Sequence, residues 1–239
     1  MRHVLAVVDD AGGASGVIAV AGAMAEVLRA DVREVRLAVG SGGRDVETAV
    51  LHELEQPGTI LGVLADGTLF GDVSWRVVRR STKPVILLPS RPRTPESSHK
   101  VISRVLLPLD GSPEAAAAVT ETAGLFTRTG VDLVVLHVFD EVTTPRCWDQ
   151  AAHARQAWEE EFLARHCAHP GVRMELRSGV VEEQVVNVAV EEYVDLITLG
   201  WSRQIGPGRA RTVRRIVADA DVPVMLIPMT RDAAPPPPP

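Results

Sequence analysis

Aromatic side chains make up only 4% of the 239 residues, and lysine occurs only at Lys83 and Lys100. The formal net charge is -6. A general nucleic-acid surface needs basic stripes and stacking rings, so this composition argues against one and leaves small ligands and proteins as the expected partners. The two cysteines, Cys147 and Cys167, are too few for a disulfide framework. The apolar run after Met1-Arg2-His3 is too short for a signal peptide or a membrane span, so the expectation is a soluble cytoplasmic protein without membrane association. Arginine greatly outnumbers lysine, but coding bias explains that as well as any ligand does.

What the chain does contain is one strand-and-helix plan written twice. Lys83-Pro84-Val85-Ile86-Leu87-Leu88-Pro89 reads against Val222-Pro223-Val224-Met225-Leu226-Ile227-Pro228, and such an echo indicates duplication. The first copy opens on a near-continuous apolar run, Val4 to Val8, the pattern of a strand buried on both faces of a parallel sheet. Gly12 and Gly13 break it, and Ser15 is placed to cap a helix carrying Val17, Ile18, Ala21, Met24, Val27 and Leu28. A strand at Val35–Val39, a helix at Val46–Leu54, a strand at Thr59–Leu64, a helix at Val73–Arg80 and a strand at Pro84–Leu88 complete four strands.

From Pro89 through Lys100 the chain has three prolines, Pro89 included, and no apolar periodicity, the composition of a linker. The second copy then has a strand at Val101–Leu109 and a helix with Ser112 as N-cap, Pro113 at its first position and Gly130 past its end. Strands follow at Asp132–Phe139, Val172–Arg177, Leu196–Gly200 and Val224–Pro228, with helices at Trp148–Cys167, Val181–Tyr193 and Arg211–Ala220. The expected organisation is therefore a first domain over residues 1–90, a linker at 91–100, a second domain over 101–230 and a solvated polyproline tail at 231–239.

Leu106 to Ser112, which runs a strand into Asp-Gly-Ser, together with Leu136-His137-Val138, Asp195-Leu196-Ile197-Thr198-Leu199-Gly200 and Val222-Pro223-Val224, resembles the universal stress protein family in tandem form. The resemblance implies an α/β fold of two adenine-nucleotide-α-hydrolase-like sandwich domains with parallel sheets, ordered 3-2-1-4-5 in the second and reduced to four strands in the first. It implies a stress-associated regulatory or binding protein and not a turnover enzyme. Family members divide into ATP binders and non-binders, so ATP with Mg2+ is the expected cofactor of a binding member, and a ligand-free protein-interaction module is the alternative. Carried over to this sequence, the nucleotide-binding residues are Pro108, Asp110, Val138, Gly200, Arg203, Arg211, Thr212 and Val213. Asp110 would face the adenine or ribose and Val138 the adenine through its backbone, with the residues after Gly200 around the phosphates.

The family's Gly-x2-Gly-x9-Gly-Ser/Thr phosphate stretch is altered here. Gly200 and Thr212 match, Arg203 and Arg211 stand at glycine positions, and the spacing is two residues short. Arg203, Arg209, Arg211, Arg214 and Arg215 form a cluster without an acid, so guanidinium forks could replace backbone amides at a phosphate. On the plainer reading these arginines are solvated or pair with acids of the preceding helix such as Glu191 and Glu192. In the first copy Asp72 falls where a phosphate-binding hydroxyl would be, and a carboxylate about 4 Å from a phosphate charge costs ~4 kcal/mol at an effective dielectric of 20. No phosphate is expected there.

Ser41-Gly42-Gly43-Arg44-Asp45 resembles the pyrophosphate loop of the related ATP pyrophosphatases, the basis of a less favoured ATP-using enzyme reading, but Val46 replaces the final serine and the segment follows the wrong strand. Cys147, His153, His166, Cys167 and His169 fit no compact metal pattern. Trp148 and Trp158 are expected to pack against the sheet or a partner. Finally, each copy ends in an apolar strand that the family topology places at a sheet edge. The expectation is antiparallel pairing of Val85–Leu88 with Val224–Ile227, an intramolecular pseudo-dimer that leaves room for further oligomerisation and an unidentified protein partner.

Overall fold

A computed structural model describes residues 1–9, 14–37, 43–65, 71–89, 101–139, 152–202 and 209–229, without the side chains of residues 9, 14, 43, 71, 72, 152–154 and 209. The expected linker and proline tail, Ser41, Arg203, Cys147 and Trp148 lie outside these residues, as do the side chains of Asp72 and His153. The first copy comprises β1 (His3–Asp9), α1 (Ala14–Leu28), β2 (Asp31–Leu37), α2 (Gly43–Glu55), β3 (Thr59–Ala65), α3 (Gly71–Arg80) and β4 (Val85–Leu88). The second comprises β5 (Arg104–Pro108), α4 (Pro113–Arg128), β6 (Asp132–Phe139), α5 (Ala152–His166), β7 (Arg173–Ser178), α6 (Val181–Glu191), β8 (Leu196–Trp201), α7 (Arg209–Asp219) and β9 (Val224–Pro228).

All nine strands belong to one sheet, ordered β2-β1-β3-β4-β9-β8-β5-β6-β7. Each copy is parallel within itself, and the second has the 3-2-1-4-5 order. β4 and β9 pair antiparallel, joining Val85 to Leu226, Ile86 to Met225 and Leu87 to Val224. This is the edge pairing expected from the two closing strands. Its register is symmetric: Ile86 faces the residue that occupies its own place in the other copy. On the helical layer above, Trp75 of α3 and Arg214 of α7 share the same sequence offset as Ile86 and Met225, and the Arg214 guanidinium lies 5.0 Å from the Trp75 ring centre.

Two hydrophobic cores divide by sheet face and not by copy. One places Val77, Val185, Val213 and Trp201 beneath α2, α3, α6 and α7. The other places Met24, Val119, Phe126 and Phe162 beneath α1, α4 and α5. Residues of both copies enter each core, so the continuous sheet buries its apolar strands against a shared pair of layers. At the seam, Trp75 meets the edge of the buried Trp201 ring at 5.9 Å.

Several local expectations shift, among them β5, which begins at Arg104 and not at Val101, and α2, which begins at Gly43 and not at Val46. β2 begins at Asp31, several residues before the expected Val35, because its charged, exposed residues hide the apolar signal of a strand. Helix α1 begins at Ala14, which puts Ser15 inside the first turn and not at the cap. Helix α4 follows its start and stop chemistry: the Ser112 hydroxyl accepts the Ala115 N–H, and Gly130 adopts a positive φ of 78° just past the end.

Candidate functional site

The strand β5 delivers its chain to a turn at the carboxyl end of the sheet, beside the switch point where β6 and β8 flank it on opposite sides. Leu109 N–H donates to the Leu136 carbonyl at 2.9 Å, tying the turn to β6. One carboxylate oxygen of Asp110 accepts both the Ser112 N–H at 3.0 Å and the Ser112 hydroxyl at 2.7 Å. Gly111 has φ of 80°, a conformation that favours glycine. The turn thus holds Asp110 at the rim while Ser112 starts α4.

Opposite this turn, β8 ends in Leu199-Gly200-Trp201 and α7 presents Thr212 and Val213 in its first turns. Between them lies a cleft of about 290 Å³, with Pro108, Asp110, Val138, Gly200, Thr212 and Val213 in its wall. Six of the eight residues expected at a nucleotide site therefore meet in one place. Arg203 lies outside the described residues, and Arg211 is exposed without lining the cleft. A Cβ on Gly200 would sit 3.4 Å from Met229 Sδ and 3.6 Å from Ala115 Cα, ordinary contact distances, so packing alone does not require the glycine.

Sequence reasoning missed the rest of the wall: Leu109, Ala115, Leu136, Val181, Leu199 and Ile216. Two of these were within reach of simple periodicity. Leu136 is two residues before Val138 on one strand face, and Ile216 is one helical turn beyond Thr212. The lining is mainly aliphatic, and the α7 first turn has no acid, so no carboxylate of that turn opposes an anion at the helix start.

Several alternatives resolve differently. Glu191 pairs with Arg177 at 2.8 Å, and Glu192 with Arg173 at 3.0 Å and Arg104 at 3.7 Å. Hence these acids are engaged by arginines other than those of α7. Arg215 instead pairs with Asp219 at 2.8 Å. Among the described residues no three His, Cys, Asp or Glu side chains come together as a metal site. His169 Nε2 donates to the Thr120 carbonyl at 3.2 Å, and Cys167 is buried with its thiol pushed up to about 11 by that burial. Burial, reinforced by neighbouring Arg165, lowers the His166 pKa.

His137 is buried behind the cleft wall and donates from Nδ1 to the Leu109 carbonyl at 2.8 Å, which fixes the proton on that nitrogen. Its ring lies among Phe139, Trp158 and Phe162 at centre distances of 4.7, 5.2 and 4.8 Å. Trp158 thus packs on the sheet layer, as expected. Asp195 works at the other end of β8, where it accepts the Ser103 N–H at 2.8 Å, the Ser103 hydroxyl at 2.7 Å and the Arg104 N–H at 2.9 Å. Its role is to lock strand ends, far along the strands from the cleft. Asp45, of the pyrophosphate-like segment, lies in the first turn of α2, in the first copy and away from this cleft.

The model of the universal stress protein family matches residues 102–228. The chain belongs to the universal stress protein family. Universal stress protein Rv1996 of Mycobacterium tuberculosis strain H37Rv is 36% identical over 76 residues, 32% of this chain and 23% of that protein. Universal stress protein Mb2019 of Mycobacterium bovis matches to the same extent. The match spans less than a quarter of the length of these curated relatives. The crystal structure of a universal stress protein from Archaeoglobus fulgidus DSM 4304 superposes with a TM-score of 0.62 at 17% identity, covering 97% of this chain and 98% of that one. A functionally unknown protein of Pseudomonas aeruginosa PAO1, PA1789, gives 0.58 at 14% identity, covering 96% and 93%. At these identities the superpositions establish the shared fold over nearly the whole chain. Among the described residues no helix is long and apolar enough to cross a membrane.

Proposed function

We propose that this universal stress protein is a stress-associated regulatory protein that binds an adenine nucleotide in the cleft of its second copy. The observation that carries this reading is the convergence of Pro108, Asp110, Val138, Gly200, Thr212 and Val213 on one cleft at the sheet's switch point. The cleft's aliphatic wall, with Val138 and Leu136 on one side and Ile216 on the other, suits a flat heteroaromatic base. Asp110 at the rim is placed to accept a hydroxyl proton of a ribose. Thr212, in the first turn of α7, offers a hydroxyl beside a helix start free of acids, a favourable setting for phosphate oxygens. Arg203 would add a guanidinium contact, Arg211 would add only the field of a positive charge near the helix start, and Mg2+ would accompany ATP by neutralising its phosphates.

In this reading the two copies form an intramolecular pseudo-dimer of domains, 1–90 and 101–230, supported by the symmetric β4–β9 register and the Trp75–Arg214 contact. The working compartment is the cytoplasm. The protein acts by binding, and any ATP hydrolysis runs far below the ordinary enzyme median of ~10 per second.

Isothermal titration of the full chain with Mg-ATP and ADP tests this. Saturable heat is expected, weakened by Thr212→Ala and by Arg211→Glu and unchanged by Asp72→Ala. A folded protein giving no heat at millimolar nucleotide refutes nucleotide binding and transfers the assignment to a ligand-free interaction module. Turnover near the enzyme median, abolished by Asp45→Ala, would instead assign ATP chemistry to the Ser41–Asp45 segment.

A further inference from the structure

Among the described residues, the β2 end of the sheet is open. In the second copy, β6 is flanked by β7 and covered by α5, and its residues Leu133 to Leu136 are buried. Its counterpart β2 is the terminal strand, with neither a further strand beside it nor a helix equivalent to α5 among the described residues. Residues 31–34 and 36 of β2 are exposed, Val35 is half-buried and only Leu37 is buried. This seven-residue edge has no proline and no lysine, two of the usual devices that deter strand addition.

The main-chain groups available on that edge can be read from β1. Asp31 N–H donates to the Arg2 carbonyl at 3.0 Å, so it points inward toward the first strand. With strand alternation, Asp31, Arg33, Val35 and Leu37 direct their main-chain groups inward, while Val32, Glu34 and Arg36 turn their N–H and C=O groups outward.

Two open edges related by a twofold axis through the sheet keep the same sheet face up, so opposing residues must come from the same face of each strand. This leaves few registers. Centring on Arg33, Glu34 or Arg36 sets each against its own like charge, which is destabilising. Centring on Val35 sets Val35 against Val35 and places Glu34 opposite Arg36 of the second copy, twice by symmetry. Arg36 and Glu34 already attract within one chain, at 3.2 Å on the same strand face. The same register makes Glu34 and Arg36 a hydrogen-bonded pair whose outward main-chain groups meet, and makes Val35 a close, non-hydrogen-bonded pair. Centring on Val32 would engage only Asp31 with Arg33, near the strand's start, and Arg33 is held by Glu53 of α2 at 2.7 Å. Helix α2 packs chiefly over β1, β3 and α3, so it does not cap the free side of β2.

We propose that the β2 edge is a homodimer interface, in which Asp31–Leu37 pairs antiparallel with the same strand of a second copy about Val35, through Glu34–Arg36 ion pairs. The occupant is a second copy because the strand's own charge pattern is complementary to itself in this register. The result is a twofold dimer with one sheet running through both chains, closing the remaining edge of the first copy.

Sedimentation velocity of the full chain over a concentration series tests this, with circular dichroism confirming that each variant is folded. The expected results are a dimer for the unmodified protein and a dissociation constant raised at least about tenfold by Arg36→Glu, which sets Glu34 against a glutamate. The double variant Glu34→Arg with Arg36→Glu restores the dimer, because the exchanged charges again oppose each other. Val35→Cys gives a covalent dimer under mild oxidation, whereas Val32→Cys does not. A monomer at all concentrations overturns the proposal. So does a dimer insensitive to Arg36→Glu, or one that Val35→Cys fails to trap.

Discussion

Replacing Ile86 examines whether the two copies unfold as one body. Ile86 is 0% exposed, pairs with Met225 across the β4–β9 seam and belongs to the core beneath α1 and α4. Truncating such a side chain, Ile86→Ala, removes its transfer energy and leaves a cavity, together about 2–5 kcal/mol. For a chain of this size each kcal/mol moves the melting temperature by roughly 2–4 °C, giving an expected fall of about 4–20 °C. Ile86→Lys adds the desolvation of an ammonium group, several kcal/mol more, a large part of a typical total stability of about 5–15 kcal/mol. Differential scanning calorimetry and far-ultraviolet circular dichroism should show one coincident transition, displaced as a whole, because each core contains residues of both copies. Two transitions, the upper retaining the parental melting temperature, would show that the second copy stands alone and would refute the shared-core argument. A fall below about 2 °C for Ile86→Ala would refute the packing estimate.

Two further outcomes follow from titratable groups away from the cleft. Glu47 is buried between α2 and α3, and the Arg80 guanidinium, aided by Arg76, holds its carboxyl below the ordinary value of 4.5 against the opposing effect of burial. A carboxyl depressed on folding stabilises the protein above its unfolded pKa, and that contribution is lost as pH falls from about 4.5 through the folded value. Glu47→Gln should therefore lower the melting temperature at pH 7, with the difference from the parent narrowing steadily below pH 4.5 in a pH series of melts; a difference independent of pH would contradict this. Cys167, with its thiol raised to about 11 by burial, should react with iodoacetamide far more slowly than a free cysteine at pH 8 in the folded protein and at the normal rate in urea, followed by mass spectrometry of the Cys167 peptide. Rapid modification of the native form would refute its burial.

Much of this architecture was legible in the order of residues because buried parallel strands declare themselves locally. Asp132–Phe139 and Val224–Pro228 are long apolar runs, and both strands have the bounds read from sequence. The Ser112-Pro113 start and Gly130 stop of α4 are equally local, since capping depends on residues within one turn. β2 was harder to place: an exposed edge strand has no buried face to impose an apolar pattern. The pairing of the seam strands, Val85–Leu88 with Val224–Ile227, was implied by the family resemblance and not by the residues of the strands themselves.

Residue order alone was enough for the strand and helix identities, because turn chemistry and apolar runs are encoded within a few neighbours, and the family resemblance supplied six residues of the cleft wall, Pro108, Asp110, Val138, Gly200, Thr212 and Val213. It took the packed molecule to establish that the two copies share cores on opposite faces of one sheet, that Glu191 and Glu192 bind Arg177, Arg173 and Arg104 instead of the α7 arginines, and that Leu136, Val181 and Ile216 close the cleft wall. These depend on where separate elements land across the sheet. That placement follows from burying whole apolar faces at once, which no short stretch of chain specifies.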